Sequence, residues 1–261
     1  MASPNVWVGP LATAGPAFAS LGSVFLKGTL RFVDSITGSD ANTGLTPGSP
    51  KKTWSATVTA SSADDVILLA PGFSETITTT VTVSVANLTT ISAGAGATQA
   101  QLINGTVAGT YGVALSAANA RFYGVSFPAA TGTQLYKFQS ASTGAVFDSC
   151  SFACGLATEV GIRATAGSGL TLRNCTFSST LGSSGLLTDV CVNVTLSGLT
   201  FTGTWADYAV KIASAAPTGL DVRDVALSNK AGFNIAVTGG TYSIFGLRAI
   251  DSSPCPIVIA A

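Results

Sequence analysis

No histidine occurs in this sequence, so a general base would have to be a carboxylate, a lysine or a tyrosine. Charge is the second scarcity. Asp, Glu, Lys and Arg make up 9% of the 261 residues, against about 25% in an ordinary soluble domain. The 12 basic and 12 acidic side chains cancel. A free protein usually relies on a charged surface for solubility. This chain covers itself instead with Ser, Thr, Gly and Ala, which suits surfaces packed against copies of itself or a larger assembly. Lys51 and Lys52 are the only adjacent cations, so a basic groove for nucleic acid is excluded.

Metal-ligand spacing is also missing. The cysteines stand at 150, 154, 175, 191 and 255, an odd set without a paired motif. Cys150 and Cys175 read as small buried hydrophobes rather than a disulfide. No basic stretch precedes Lys27, so a secretory signal is not expected. Residues 2–26 are uncharged, but their prolines and glycines argue against a membrane span. Ten-residue runs with a 3.6 period are lacking too, which excludes a helical solenoid. The dense Leu/Asn signature of leucine-rich repeats is likewise absent.

What is present is a repeat. Phe122-Tyr-Gly-Val125-Ser-Phe127 recurs as Phe147-Asp-Ser-Cys150-Ser-Phe152, Leu172-Arg-Asn-Cys175-Thr-Phe177, Leu196-Ser-Gly-Leu199-Thr-Phe201 and Val222-Arg-Asp-Val225-Ala-Leu227, with a degenerate Ile244-Phe-Gly-Leu247-Arg-Ala249. The starts lie 25, 25, 24, 26 and 22 residues apart. Units this short cannot fold alone, so the period marks a stacked architecture. The third residue of each copy is Gly, Ser, Asn, Gly, Asp or Gly, types that tolerate a left-handed bend. A further strand is expected before each bend, at Val113/Leu115, Ile162/Ala164, Val190/Val192, Val210/Ile212 and Ile235/Val237. Residues 66–119 hold less regular turns, with strands at Val66–Ala70, Val81–Val85, Leu88–Ile91 and Leu102–Ile103.

A turn of about 24 residues with alternating faces and three bends describes an all-β, single-stranded, right-handed parallel β-helix. Stacking at about 4.8 Å predicts three interior columns. They are Phe122–Phe147–Leu172–Leu196–Val222–Ile244, Val125–Cys150–Cys175–Leu199–Val225–Leu247 and Phe127–Phe152–Phe177–Phe201–Leu227. The last contains four rings that can stack.

Two regions stand apart. Residues 1–30 are apolar and irregular, and read as an extended arm whose Trp7, Phe18, Leu21, Phe25 and Leu26 dock onto a partner particle. The other reading is that the arm folds back to cap the first turn, since an open β-helix end exposes unpaired groups. The β-helix domain then runs from 31 to 261, with 31–65 leading into the stacked turns of 66–261. Within residues 32–76, Phe32-Val-Asp34, the turn Gly38-Ser-Asp40-Ala-Asn42-Thr-Gly44, Pro47 and the strand ending in Pro71-Gly72 carry a resemblance. This passage resembles the opening of pectin-lyase-like right-handed β-helix proteins, including phage and bacterial surface proteins. With the neutral composition and apolar arm, the whole looks like a tailed-bacteriophage virion protein, a class often homotrimeric.

Catalytic pairs are hard to find. Glycoside hydrolysis needs two carboxyls about 5–9.5 Å apart. In the repeat frame only Asp148 and Asp224 share a bend, three turns apart. Arg173 lies one turn from Asp148, so an exposed ion pair is expected there. Neither the calcium-plus-arginine arrangement of the resembled pectate lyases nor the motifs of the resembled polygalacturonases is visible, and the expectation is a protein that is not an enzyme and needs no cofactor. Asp34, Asp40 and Asn42 offer oxygen ligands for calcium, but an Asx-rich turn satisfying its own backbone is the simpler reading, and no metal is expected. Trp205, Asp207 and Tyr208 form a loop that could stack on a sugar or on another subunit, or simply pack over its own turn. Gly94-Ala-Gly96 is a turn rather than a dinucleotide loop.

The functional expectation is a structural virion protein on the capsid exterior. It would be a decoration or cement protein, a homotrimer binding the major capsid protein or another virion subunit, with no nucleic acid and no membrane as partner. The alternatives are a tail spike or fibre module that binds host glycan, and a polysaccharide lyase or hydrolase.

Overall fold

The computed structural model describes residues 27–105, 111–129, 136–140, 143–165, 168–190, 192–206, 208–215, 218–227, 233–236, 242–249 and 257–260. They form three parallel sheets of nine, eight and eight strands, each stacked in chain order. The first sheet runs from Leu30–Val33 and Val66–Leu69 through Thr89–Ser92, Arg121–Tyr123, Val146–Asp148, Thr171–Arg173, Thr195–Ser197 and Leu220–Arg223 to Tyr242–Phe245. The second begins at Ser74–Ile77 and Gln101–Asn104 and continues through Ser126–Phe127, Ser151–Cys154, Thr176–Ser179 and Thr200–Gly203. The third begins at Val81–Val83 and Tyr111–Leu115. This is the parallel β-helix expected from the repeat.

The interior files follow the predicted register. Phe122 pairs with Phe147, Phe147 with Leu172, Leu172 with Leu196, Leu196 with Val222 and Val222 with Ile244. Phe127, Phe152, Phe177, Phe201 and Leu227 are likewise in register. The four rings lie 4.9, 4.7 and 4.6 Å apart, tilted by 16°, 10° and 11°, one continuous stack. Offset stacking at this spacing adds about 0.5–1.5 kcal/mol per pair beyond burial. Val125, Cys150, Cys175, Leu199 and Val225 are all buried between the files. Cys150 and Cys175 are free thiols. Burial pushes the Cys150 thiol well above its ordinary value, with Cys175 beside it adding to the shift, which leaves it unreactive.

Each repeat bends where a small residue turns left-handed. Gly124, Ser149, Asn174, Gly198, Asp224 and Gly246 all have φ between 52° and 69°. A side chain on Gly198 would press on the Asn174 amide oxygen 2.7 Å away, so glycine is required above that asparagine. A second left-handed file, not anticipated from the sequence, runs through Asp64, Asn87, Asn119, Gly144, Gly169, Asn193 and Gly219. It is a ladder. Asn87 Nδ2 donates to Asp64 Oδ1 at 2.8 Å and Asn119 Nδ2 donates to Asn87 Oδ1 at 2.9 Å.

The third sheet corrects two sequence expectations. Ile162 pairs with Leu186 and Ala164 with Thr188, so the inward pair is Leu186/Thr188 rather than Val190/Val192. Val192 is in fact exposed. A buried threonine hid this strand, because polarity was read as an outward position. Ile235 pairs with Ile212 and Phe233 with Val210, shifting that strand by two; Val237 lies outside the described residues. The strand Tyr136–Ser140, between Val113 and Ile162 in register, was missed altogether. Its Phe138 wedges edge-on against Phe127 at 4.7 Å and Phe147 at 5.0 Å.

One short helix, α1 (Trp54–Ala60), plugs the N-terminal end. Thr53 caps it by accepting the Ala56 N–H, and Trp54, Thr57 and Val58 make one buried face. The Trp54 indole N–H donates to Thr90 Oγ1 at 3.1 Å and its ring lies 6.1 Å from Phe122. An aromatic lid thereby closes the apolar core that an open solenoid end would expose.

Candidate functional site

The helix cap brings two carboxylates, Asp40 and Glu75, to the start of α1 beside a cleft. Glu75 belongs to the first strand of the second sheet and pairs in register with Leu102, an interior residue. Its carboxylate therefore points into the end of the solenoid, which would be costly without donors. The start of α1 supplies them. Glu75 Oε2 accepts the Trp54 N–H at 2.5 Å, and Oε1 accepts the Ser55 hydroxyl at 2.5 Å and the Ser55 N–H at 3.4 Å. Asp40 reaches the same helix start from the other side. Its Oδ1 accepts the N–H groups of Lys52 and Thr53, and its Oδ2 accepts the Thr53 hydroxyl.

Burial pushes the Glu75 carboxyl above its ordinary value, the three donors oppose this, and the nearby Asp40 charge pushes it up further. The raised value means that the folded state holds this proton more tightly than the unfolded chain does. Stability from Glu75 is thus present below about the ordinary 4.5 and falls as pH rises through the higher folded value. This sign is opposite to that of a salt-bridged carboxylate. Glu75→Gln removes the titration, so the difference in Tm between variant and wild type should shift in the variant's favour from pH 4 to pH 7. A difference that stays flat across that range would show the carboxyl to be unperturbed.

An open cleft of about 450 Å³ lies outside this pair. It is lined by Asp40, Thr53, Ser55, Ala56 and Thr59 on the cap side and by Thr79, Thr80, Val81 and Thr82 on the solenoid side. Hydroxyls dominate, and the volume falls within the range of small-molecule sites. Ser55 faces the cleft and hands its hydroxyl proton toward Glu75, so Glu75 acts on the cleft only through Ser55. Sequence reading missed the grouping because Asp40, Ser55 and Glu75 are far apart and belong to no repeat.

The other anticipated positions fall elsewhere. Asp148 and Arg173 form the expected ion pair at 2.9 Å, but Asp148 is buried and only Arg173 is exposed. Asp148 Oδ1 also accepts from the Ser149 hydroxyl and the Asn174 amide. Asp224 lies three turns along, too far to act with it. Asp34 accepts from Ile36 N, Thr37 N and the Thr37 hydroxyl. The ammonium of Lys51 donates to the carbonyls of Asp40 and Asn42, each at 2.8 Å. A lysine charge thus occupies the middle of the turn considered for calcium, and the Asx-turn reading describes it. No group of three metal-ligating side chains is gathered among the described residues.

Trp205 is buried, its ring 6.2 Å from Phe201 at 67°, so it packs over its own turn and offers no open face for a sugar. Tyr208 is half-buried, and Asp207 lies outside the described residues. Trp7, Phe18, Leu21, Phe25 and Leu26 also lie outside them.

With this geometry in hand, the fold can be compared with known proteins. No family model matches the sequence, and no curated protein matches it. Among solved structures, a rhamnogalacturonan lyase is similar at a TM-score of 0.52 and 12% identity, over 80% of this chain and 73% of that one. A pectin methylesterase from Aspergillus niger follows at 0.46 and 11%, over 87% of each chain. A pectate lyase gives 0.43 and 14%, over 87% of this chain and 81% of that one. This chain has the pectin-lyase-like parallel β-helix fold. The expectation of a protein that is not an enzyme is corrected here: a solved structure that shares its fold is a rhamnogalacturonan lyase. The grounds for setting catalysis aside were the absent histidine, the absent motifs of the resembled enzymes and the lack of a carboxylate pair in the repeat frame, and they did not include the Asp40–Ser55–Glu75 grouping.

Proposed function

We propose that this protein is a carbohydrate-directed β-helix that holds a glycan in the hydroxyl-lined cleft between α1 and the first turns. The observation that carries the reading is the lining itself: six Ser and Thr side chains with one exposed carboxylate. Sugar hydroxyls pair with such groups as both donors and acceptors. A lining with a single charged side chain also matches the charge scarcity of the chain. The likeness of fold to a rhamnogalacturonan lyase supports a carbohydrate ligand without specifying which one. Of the expectations drawn from sequence, this follows the glycan-binding alternative in preference to capsid decoration. The neutral composition and apolar arm, taken with the resemblance of residues 32–76, are the ground for a virion location and a homotrimer for such a module, and sedimentation would measure the trimer directly.

Thr59 on α1 and Thr79 before Val81 both line the cleft and are exposed. Replacing both with arginine fills the space without touching Asp40, Ser55 or Glu75. Binding on a glycan array should fall at least tenfold in this variant while the far-ultraviolet spectrum stays unchanged. Binding that survives the double replacement would place the glycan elsewhere. Incubating the wild type with the captured polysaccharide, and following its length and reducing ends, shows whether the bound chain is also cleaved. In that case Ser55→Ala should abolish cleavage and leave binding within a few-fold.

A further inference from the structure

The three outer faces of the solenoid differ in charge. On the first sheet Arg121, Arg173, Asp221 and Arg223 alternate with Phe122, Leu172 and Val222, which belong to the interior core, so these charges point outward. On the third sheet Arg163 and Lys211 lie outside in the same way, beside Ile162 and Ile212. The second sheet is different. Its outer file reads Ser74, Gln101, Ser126, Ser151, Thr176 and Thr200 in register. Two residues along the strands, Ala153, Ser178 and Thr202 form another file. Phe152, Phe177 and Phe201 between the two files face the core. No charged side chain interrupts either file over these described turns. Ser74, Thr176, Ser178 and Thr202 are exposed, so the chain leaves this face open. Single left-handed residues, Ser149, Asn174 and Gly198 among them, make the corner toward the first sheet, so no loop rises beside the strip there. Leu181, 58% exposed, stands in the loop that leaves the sheet after Ser179.

We propose that this strip is the surface through which copies of the chain associate. The proposal rests on the homo-oligomer proposed above, to which it assigns a face, and is independent of the glycan cleft. Three observations select a second copy as the occupant. Hydroxyls both donate and accept, so a Ser/Thr face is complementary to itself, whereas a face of like charges repels its own copy. The strip repeats at the strand spacing, about 24 Å over six strands. A second copy lying parallel has the identical period, so a hydroxyl meets a hydroxyl at every turn. Burying this face also strips water from no charge, while burying either of the others would desolvate arginines or a lysine. Leu181 then falls at the rim of the contact, where a partner removes its apolar surface from water.

Sedimentation of the intact protein reads the association. Ser178→Arg with Thr202→Arg puts two like charges on adjacent turns of the strip. The wild type should sediment as an oligomer, and this variant should associate at least tenfold more weakly. Thr171→Arg with Ser197→Arg adds the same charge to the outer face of the first sheet and should leave the mass unchanged. A wild type with the mass of one chain would overturn the oligomer itself, and the glycan array reads the cleft separately. An oligomer that survives Ser178→Arg with Thr202→Arg would overturn the face assigned to it. Should that variant fail to fold, Ser178→Cys and Ser197→Cys are compared for their rates of reaction with a soluble thiol reagent, the parent protein supplying the background from native cysteines. Ser178 is the more open of the two in the single chain. Its cysteine should nonetheless react at least tenfold more slowly, and an equal or faster rate would equally count against the strip.

Discussion

Phe177→Ala should lower stability by about 3–5 kcal/mol, the upper range for truncating a fully buried aromatic. Phe177 has no exposed surface, and its ring is sandwiched between Phe152 at 4.7 Å and Phe201 at 4.6 Å. Removing it breaks two stacked pairs and leaves a void in mid-column. The surroundings cannot close that void, because the rise per turn is set by backbone hydrogen bonding on all three sheets. The third sheet is also committed to these rings: a Cβ on Gly185 would meet the Phe201 ring at 2.8 Å, so the glycine exists to admit it. Phe177→Leu should cost less, since most of the volume is kept. Chemical unfolding of the three proteins measures the differences. A Phe177→Ala cost under about 1 kcal/mol would mean that the column is not the core.

Asp65→Ala should cost a similar amount, about 3–5 kcal/mol, for a different reason. Asp65 is buried and ties the first strand to the second. Its Oδ1 accepts the Thr29 N–H at 2.8 Å, and its Oδ2 accepts the Arg31 Nε–H at 2.7 Å and the Ser62 N–H at 2.9 Å. Alanine strands a part-buried guanidinium and two backbone donors at once. Burial alone would raise the Asp65 pKa, but the donors from Ser62, Arg31 and Thr29 outweigh it and hold the carboxyl below its ordinary 3.8. Its stabilisation is therefore complete above that value and lost as pH falls through the lower folded value. Asp65→Ala should remove this acid-sensitive component, and the damage should be local. The amides of Val66 and Ala70 donate to the carbonyls of Thr29 and Val33, so their exchange rates report the first strand directly. They should lose protection in the variant while amides around Phe177 keep theirs. Retained protection at Val66 and Ala70 would show that Asp65 is not the fastener.

The two carboxylates Asp65 and Glu75 titrate with opposite consequences, although both accept backbone donors, Asp65 buried and Glu75 half-buried. At Glu75 burial outweighs the donors, with the Asp40 charge a smaller addition, whereas at Asp65 burial is outweighed by the donors from Ser62, Arg31 and Thr29. Arg31 stands beside Asp65, while Asp40 stands beside Glu75. Neither neighbour could be assigned from the sequence, since each comes from a segment more than 30 residues away that the cap region folds back.

Much of the solenoid was legible because its repeat is local. Phe127, Phe152, Phe177 and Phe201 each sit at the same place in a six-residue frame, and the small third residue of each frame is the one that turns left-handed. The reading failed where an inward position is polar, as at Thr188, and it passed over Tyr136–Ser140, although Phe138 keeps the period with Val113 and Ile162. The asparagine ladder of Asn87 and Asn119 was also hidden, since both lie outside the six-residue frame. At the site, Asp40 was noticed as a turn residue and Glu75 only as one acid among twelve. Ser55 was not noticed at all.

By itself the sequence determined the parallel β-helix and the order of its interior files, because identical positions 22–26 residues apart must stack when each turn is too short to fold alone. Only the tertiary structure decided where charge and hydroxyls meet. The cap at residues 38–60 is aperiodic, and its contacts depend on how α1 closes the open end. That closure, and not any motif, brings Asp40, Ser55 and Glu75 to one cleft and leaves Lys51 in the turn where a metal ion had been considered.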